Sequence, residues 1–221
     1  MSDWHFGEIA SCYALMDEAI STAKELKDRY ALALALSWAA GLAILERNPA
    51  EVDRLASDLI ELSTRHNFLP LLAQGAIYRG WACSAAGNTA EGIPGIEQGI
   101  RDYRAAGSVL ALSTHLACKA EALHLADSTS EALEAIKEGV AIAERFEHGY
   151  CRAQLHRLRG VFLATLGAEE SQVEASFCEA IRIAKEQKSV SLATRAEATY
   201  AEYRRQKASG SGGRGFRLPL C

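Results

Sequence analysis

The sequence predicts an all-α fold, a tetratricopeptide-like right-handed α-solenoid built from antiparallel helical hairpins. Three observations predict it. Alanine and leucine, both strong helix formers, dominate the 221 residues, whereas proline occurs only 4 times. A small residue recurs at Gly41, Gly80, Ala120, Gly160 and Ala198, at spacings of 39, 40, 40 and 38. Seven residues after each of the first four comes a turn residue: Asn48, Gly87, Asp127 and Gly167. A unit of helix, tight turn and helix follows, repeated about every 40 residues.

Residues 8–29 read as an amphipathic helix, Glu8-Ile-Ala-Ser-Cys-Tyr through Lys27-Asp-Arg29, with no first helix to pair with. Four hairpins follow, over 31–66, 71–106, 109–147 and 151–187. Their second helices open at Pro49-Ala-Glu, Thr89-Ala-Glu, Ser130-Glu-Ala and Glu170-Ser. These residues suit a helix start, as caps, as proline in the first turn or as acids beside the dipole. The clearest unit is Leu155 to Cys178, where Gly160 permits close helix approach and Gly167 ends the first helix. Residues 190–207 form a capping helix, so that 1–207 is one helical-repeat domain with its first helices lining a concave face. The Gly/Ser-rich segment 208–221 reads as a flexible tail.

One helix breaks the pattern. Gly92, Pro94, Gly95 and Gly99 crowd the segment Ala90–Ala106. Proline removes a backbone donor and glycine costs about 1 kcal/mol against alanine in a helix interior. A kink, or a helix start delayed to near Ile93, is expected, with a hinge between the two halves as the alternative.

Composition narrows the function classes. A net charge of −4 and a pI near 5.9 give no footprint for nucleic acid or an anionic membrane. The six cysteines show no CxxC spacing and read as buried free thiols in a reducing cytoplasm. No signal peptide is evident, and Ala31–Leu45, the longest charge-free apolar stretch, is 15 residues, short of a membrane span. No GxxxxGK[ST] or GxSxG motif is present, so no catalytic residue and no cofactor is assigned. His115, His124 and His156 lack ligand spacing and read as satisfied or solvent-facing, with no metal site.

One charged feature does repeat. The residue before the small position is Arg79, Lys119 and Arg159 in successive hairpins, which forms a basic ladder along the array. In the functional reading, the ladder grips an acidic peptide, aided by Arg157, Gln74, Gln154 and Trp81. In the structural reading, it pairs with Glu97, Glu121, Glu138 or Glu179. Trp38 is expected in the core, and Trp81 in either core or groove.

Several phrases carry a family resemblance. They are Ala90-Glu-Gly-Ile, Lys119-Ala-Glu-Ala-Leu, Leu155-His-Arg-Leu-Arg-Gly160, Glu174-Ala-Ser-Phe-Cys-Glu-Ala-Ile and Lys185-Glu-Gln-Lys. Over residues 8 to 207 they resemble the tetratricopeptide-like C-terminal repeats of bacterial STAND/AAA-type ATPase regulators, linked to adenylate/guanylate cyclase or winged-helix domains. The resemblance implies a sensor or regulatory repeat region without the ATPase. The expected function is thus a non-catalytic scaffold for a protein or peptide partner, with self-association through the unpaired N-terminal helix a further expectation. The alternative is a small-molecule sensor with its effector in the superhelical groove.

Overall fold

The computed structural model describes residues 2–209, which form eleven α-helices and no strand. A short α1 (Ser2–His5) precedes α2 (Ile9–Glu25). Hairpins then pair α3 (Arg29–Leu45) with α4 (Pro49–His66), and α5 (Leu69–Ala85) with α6 (Thr89–Ala105). Two more pair α7 (Leu112–Leu125) with α8 (Thr129–Arg145), and α9 (Gly149–Thr165) with α10 (Glu170–Glu186). The last helix is α11 (Val190–Ala208), and the expected tail, from residue 210 onward, lies outside the described residues. Consecutive helices pack on one another throughout, as in a helical-repeat solenoid.

One kind of turn joins them. A residue with positive φ recurs at Gly7, Lys27, Arg47, Asn67, Gly87, Gly107, Asp127, Glu147, Gly167 and Lys188. The links are twenty residues apart, and twenty-one at the last. At the first long link Lys27 N–H donates to the Lys24 carbonyl and Asp28 N–H to the Ala23 carbonyl. The same pair of bonds recurs at Arg47 and Asn48, at Gly87 and Asn88, and at Gly167 and Ala168. It satisfies carbonyls that a helix end leaves open. Several of the following residues cap the next helix. The Asp28 carboxylate accepts from Tyr30 and Ala31 N–H at 3.0 and 2.9 Å, and Asn48 accepts from Glu51 N–H at 3.2 Å. The 40-residue repeat is therefore two half-units of twenty.

The half-units differ in burial. The first helices α3, α5, α7 and α9 each bury ten or eleven residues, and the second helices α4, α6, α8 and α10 only five to seven. First helices form the inner layer and second helices the outer. Glycine sets their spacing at several places, of which two illustrate the demand. A Cβ on Gly92 would lie 2.1 Å from the Ser84 Oγ and 2.4 Å from the Gly80 carbonyl, and one on Gly160 would lie 2.8 Å from the Phe177 ring.

Three expectations are corrected here. Helix α6 runs unbroken from Thr89 through Pro94, with no start delayed to Ile93, because its glycines admit α5 at close range. Trp38 is not core: it is 51% exposed, although its repeat equivalents Tyr78, Cys118 and Leu158 are buried. The thiols divide, with Cys12, Cys118 and Cys151 buried but Cys178 exposed.

The two ends of the array meet. Helix α1 packs on both α2 and α11, and Trp4 is buried in a cluster with Cys12, Leu42, Ala153, Ile183, Ala184 and Leu192. Trp4 Nε1 donates to Glu46 at 2.6 Å, His5 Nδ1 lies 2.8 Å from the Ser189 hydroxyl, and Ser191 donates to the Trp4 carbonyl. Arg195 of α11 donates to the Leu45 carbonyl of α3 at 2.7 Å.

Candidate functional site

The inner face is filled with the chain's own side chains. Gln74 and Arg157, expected to line an open groove, and Trp81, expected in either core or groove, are buried. Gln74 accepts from Ser37 at 2.9 Å and donates to Tyr78 at 2.7 Å. Trp81 Nε1 donates to Glu121 at 2.8 Å, and Arg47 reaches the same carboxylate through two nitrogens. Arg157 donates to Gln154 at 3.1 Å and to Thr199 at 3.2 Å. Of the seven candidates, these four (Gln74, Trp81, Arg157 and Gln154) belong to internal polar contacts.

Glu121 is the hub of this interior. Burial by itself pushes its carboxyl pKa up, but the Arg47 charge and hydrogen bonds from Arg47 and Trp81 overcome that and hold it below the usual value. Such a pair stabilises only while both partners remain, since either charge left buried without the other is strongly unfavourable. Of the acids expected beside the ladder, Glu121 thus answers to Arg47, Glu138 to Arg104 and Glu179 to Arg182; only Glu97 meets a ladder residue, Lys119.

The three ladder residues project on the other side of their helices, toward the preceding second helix. Arg79 faces Asp53 of α4 at 3.6 Å, and Lys119 faces Glu97 of α6 at 2.8 Å. Arg159 has no ion-pair partner among the described residues. The positions on α8 that correspond to Asp53 and Glu97 hold Leu133 and Lys137.

Two grooves mark the outer ladder positions. One, of about 600 Å³, lies between α4, α5 and α6, with Asp53, Arg79, Glu91, Gly92 and Gly95 among its lining residues. The other, of about 650 Å³, lies between α8, α9 and α10 and is lined in part by Lys137, His156, Arg159, Ser171, Gln172 and Glu179. The ladder therefore offers one position with its charge open. Sequence periodicity located all three cations and offered Glu97, the partner of Lys119; it missed Asp53, which sits 26 residues upstream of Arg79.

The histidines divide too. His124 is satisfied by the Thr129 hydroxyl at 3.0 Å. His115, expected to be satisfied or in solvent, is instead fully buried between the rings of Tyr78 and Tyr103, and neither ring nitrogen has a hydrogen-bond partner among the described residues. Burial lowers its pKa to about 3, so the ring is neutral. His156 is 8% exposed, and its Nδ1 has no partner among the described residues. Among the described residues no three His, Cys, Asp or Glu side chains come together as a metal site, and no helix is long and apolar enough to cross a membrane.

Comparison with known families identifies the repeats. The family model for anaphase-promoting complex subunit 5 matches residues 1–44, 105–151 and 144–207. No curated protein matches the chain. The match supports the helical-repeat part of the expected resemblance and does not carry the bacterial STAND/AAA ATPase context. The chain belongs to the anaphase-promoting complex subunit 5 family.

Proposed function

We propose that this member of the anaphase-promoting complex subunit 5 family is a non-catalytic scaffold that binds a protein partner within a larger assembly. The reading is supported by the family's own description as a subunit of a complex. The observation that carries it is the use of the interior polar groups. Glu121, Arg47, Trp81, Gln74 and Arg157, the residues most suited to chemistry, are engaged with one another and with neighbouring helices. What remains for function is an extended surface of second helices on a frame tied at both ends. The link to a signalling ATPase or cyclase gains no support from the family match, and neither does a bacterial setting. A small-molecule effector in the superhelical groove is disfavoured by the packing of Gln74, Trp81 and Arg157 on that face.

The test is native purification of the tagged chain from its own cells, followed by sedimentation. The expected result is a stoichiometric complex heavier than one chain, from which a defined protein dissociates at high salt. A chain that sediments alone as a monomer at cellular concentration, with no partner at any stage, overturns the proposal. A homodimer would point instead to self-association.

A further inference from the structure

We infer that the groove between α8, α9 and α10 receives an acidic side chain of a partner peptide, with Arg159 and Lys137 as its cationic walls. The inference rests on the proposed scaffold function and names the chemistry of one contact. Three observations carry it. Arg159 is the ladder cation without a counter-charge among the described residues, while Arg79 and Lys119 already have theirs. At the place where the neighbouring position supplies Glu97, this one supplies a second cation, Lys137, lining the same 650 Å³ groove. Third, the groove is lined by further polar groups able to complete an anion's hydrogen bonds: Ser171 and Gln172.

The one acid in the lining does not neutralise the groove. Glu179 is held by two bonds from Arg182, at 2.8 and 2.7 Å, and those bonds keep its carboxyl below the usual range. Among the described residues Lys137 is engaged only by Glu134, three residues earlier on the same exposed helix face at 2.6 Å. An exposed pair of that kind is worth less than about 1 kcal/mol and yields readily to a better anion. His156, buried with an unpartnered Nδ1, lines the same groove as a neutral imidazole. A carboxylate seated there would pair with Arg159 in the two-pronged geometry that guanidinium favours.

The test uses the full chain and a fluorescein-labelled glutamate-rich peptide, with its glutamine counterpart as control. Anisotropy should report binding of the glutamate peptide that weakens with salt, and amide NMR shifts should cluster at Ser171, Gln172 and Ser176. Arg159→Glu and Lys137→Glu should each weaken binding by about tenfold or more, Arg159→Lys should retain part of it, and Arg79→Glu should leave it unchanged. The inference is overturned by equal binding of the glutamine peptide, or by equal loss in Arg79→Glu. It is also overturned by no binding at low salt, or by inorganic phosphate alone occupying the site as tightly as the peptide. Each of those results leaves the scaffold reading standing if native purification still yields a complex, so the two fail separately.

Discussion

The grooves at Arg79 and Arg159 stand two repeats apart and are built from equivalent helices, yet they carry opposite charge. Around Arg79 the lining contains two acids, Asp53 and Glu91, against one cation. Around Arg159 the equivalents of those acids are Leu133 and Ser171, and Lys137 adds a second cation against Glu179. The hairpins that carry them differ in packing as well. Between α5 and α6, Gly80 and Gly92 bring two backbones together, while between α9 and α10 the Phe177 ring lies over Gly160. The family match follows the same division: every lining residue of the Arg159 groove lies within a matched segment, and every one of the Arg79 groove lies in the unmatched stretch 45–104. The repeat thus dictates where a cation stands, and its neighbours decide whether that cation is structural or available.

The largest effect should come from cutting the tie between the halves that hold these grooves. Arg47→Ala leaves Glu121 buried without its cation and should cost about 3–5 kcal/mol in urea unfolding. A loss below about 1 kcal/mol would show that the buried pair is not the link described. Acid tests the same interior. The folded pKa of His115 is about 3 against an ordinary 6.5, so the unfolded chain takes up the proton first as pH falls. Its contribution is intact above about pH 6.5 and erodes below it. Glu121, also depressed, loses its contribution at lower pH still. The unfolding midpoint of His115→Phe should therefore fall less steeply than that of the parent between pH 6.5 and 4.5.

The two helix pairs should then separate. Gly92→Ala places a Cβ against the Gly80 carbonyl and should destabilise by about 3 kcal/mol, whereas Gly160→Ala meets a ring that can shift and should cost about 1–2 kcal/mol. Equal losses would mean that the two helix pairs yield alike. Lys137→Glu gives Arg159 the kind of partner Lys119 has, and stability should move by no more than about 0.5 kcal/mol. Last, Glu147→Gly relieves a left-handed residue of the α8–α9 link and should raise stability by roughly 0.5–1 kcal/mol, while Asn67→Gly in the α4–α5 link should gain less, since asparagine tolerates that conformation. Thermal melts resolve both.

Much of the architecture was legible because Gly80 and Gly160 answer to a real steric demand, so their spacing announced the repeat. The half-unit of twenty was not. Its left-handed positions hold Lys27, Arg47, Glu147 and Lys188, residues whose types do not advertise positive φ. The ladder was legible as residue type and spacing, but Arg157 was placed in an open groove where it instead meets Thr199 of α11, and Trp81, left between core and groove, is buried. The meeting of the two ends joins residues as far apart as Trp4 and Ser191, and no local pattern encodes it. The unusual glycines of α6 were visible, but their purpose depended on Ser84 and Gly80 across the hairpin.

The contact between Trp4 and α11 has a consequence for how this architecture can change. An open-ended array lengthens by duplication without penalty, because each added hairpin meets only its neighbour. Here a hairpin inserted between α3 and α9 would carry α11 away from Trp4 and Leu45 and strip the cover from the cluster around Leu42. A single inserted half-unit would be worse, since it would exchange inner and outer helices downstream. The count of hairpins between those contacts is therefore fixed by geometry.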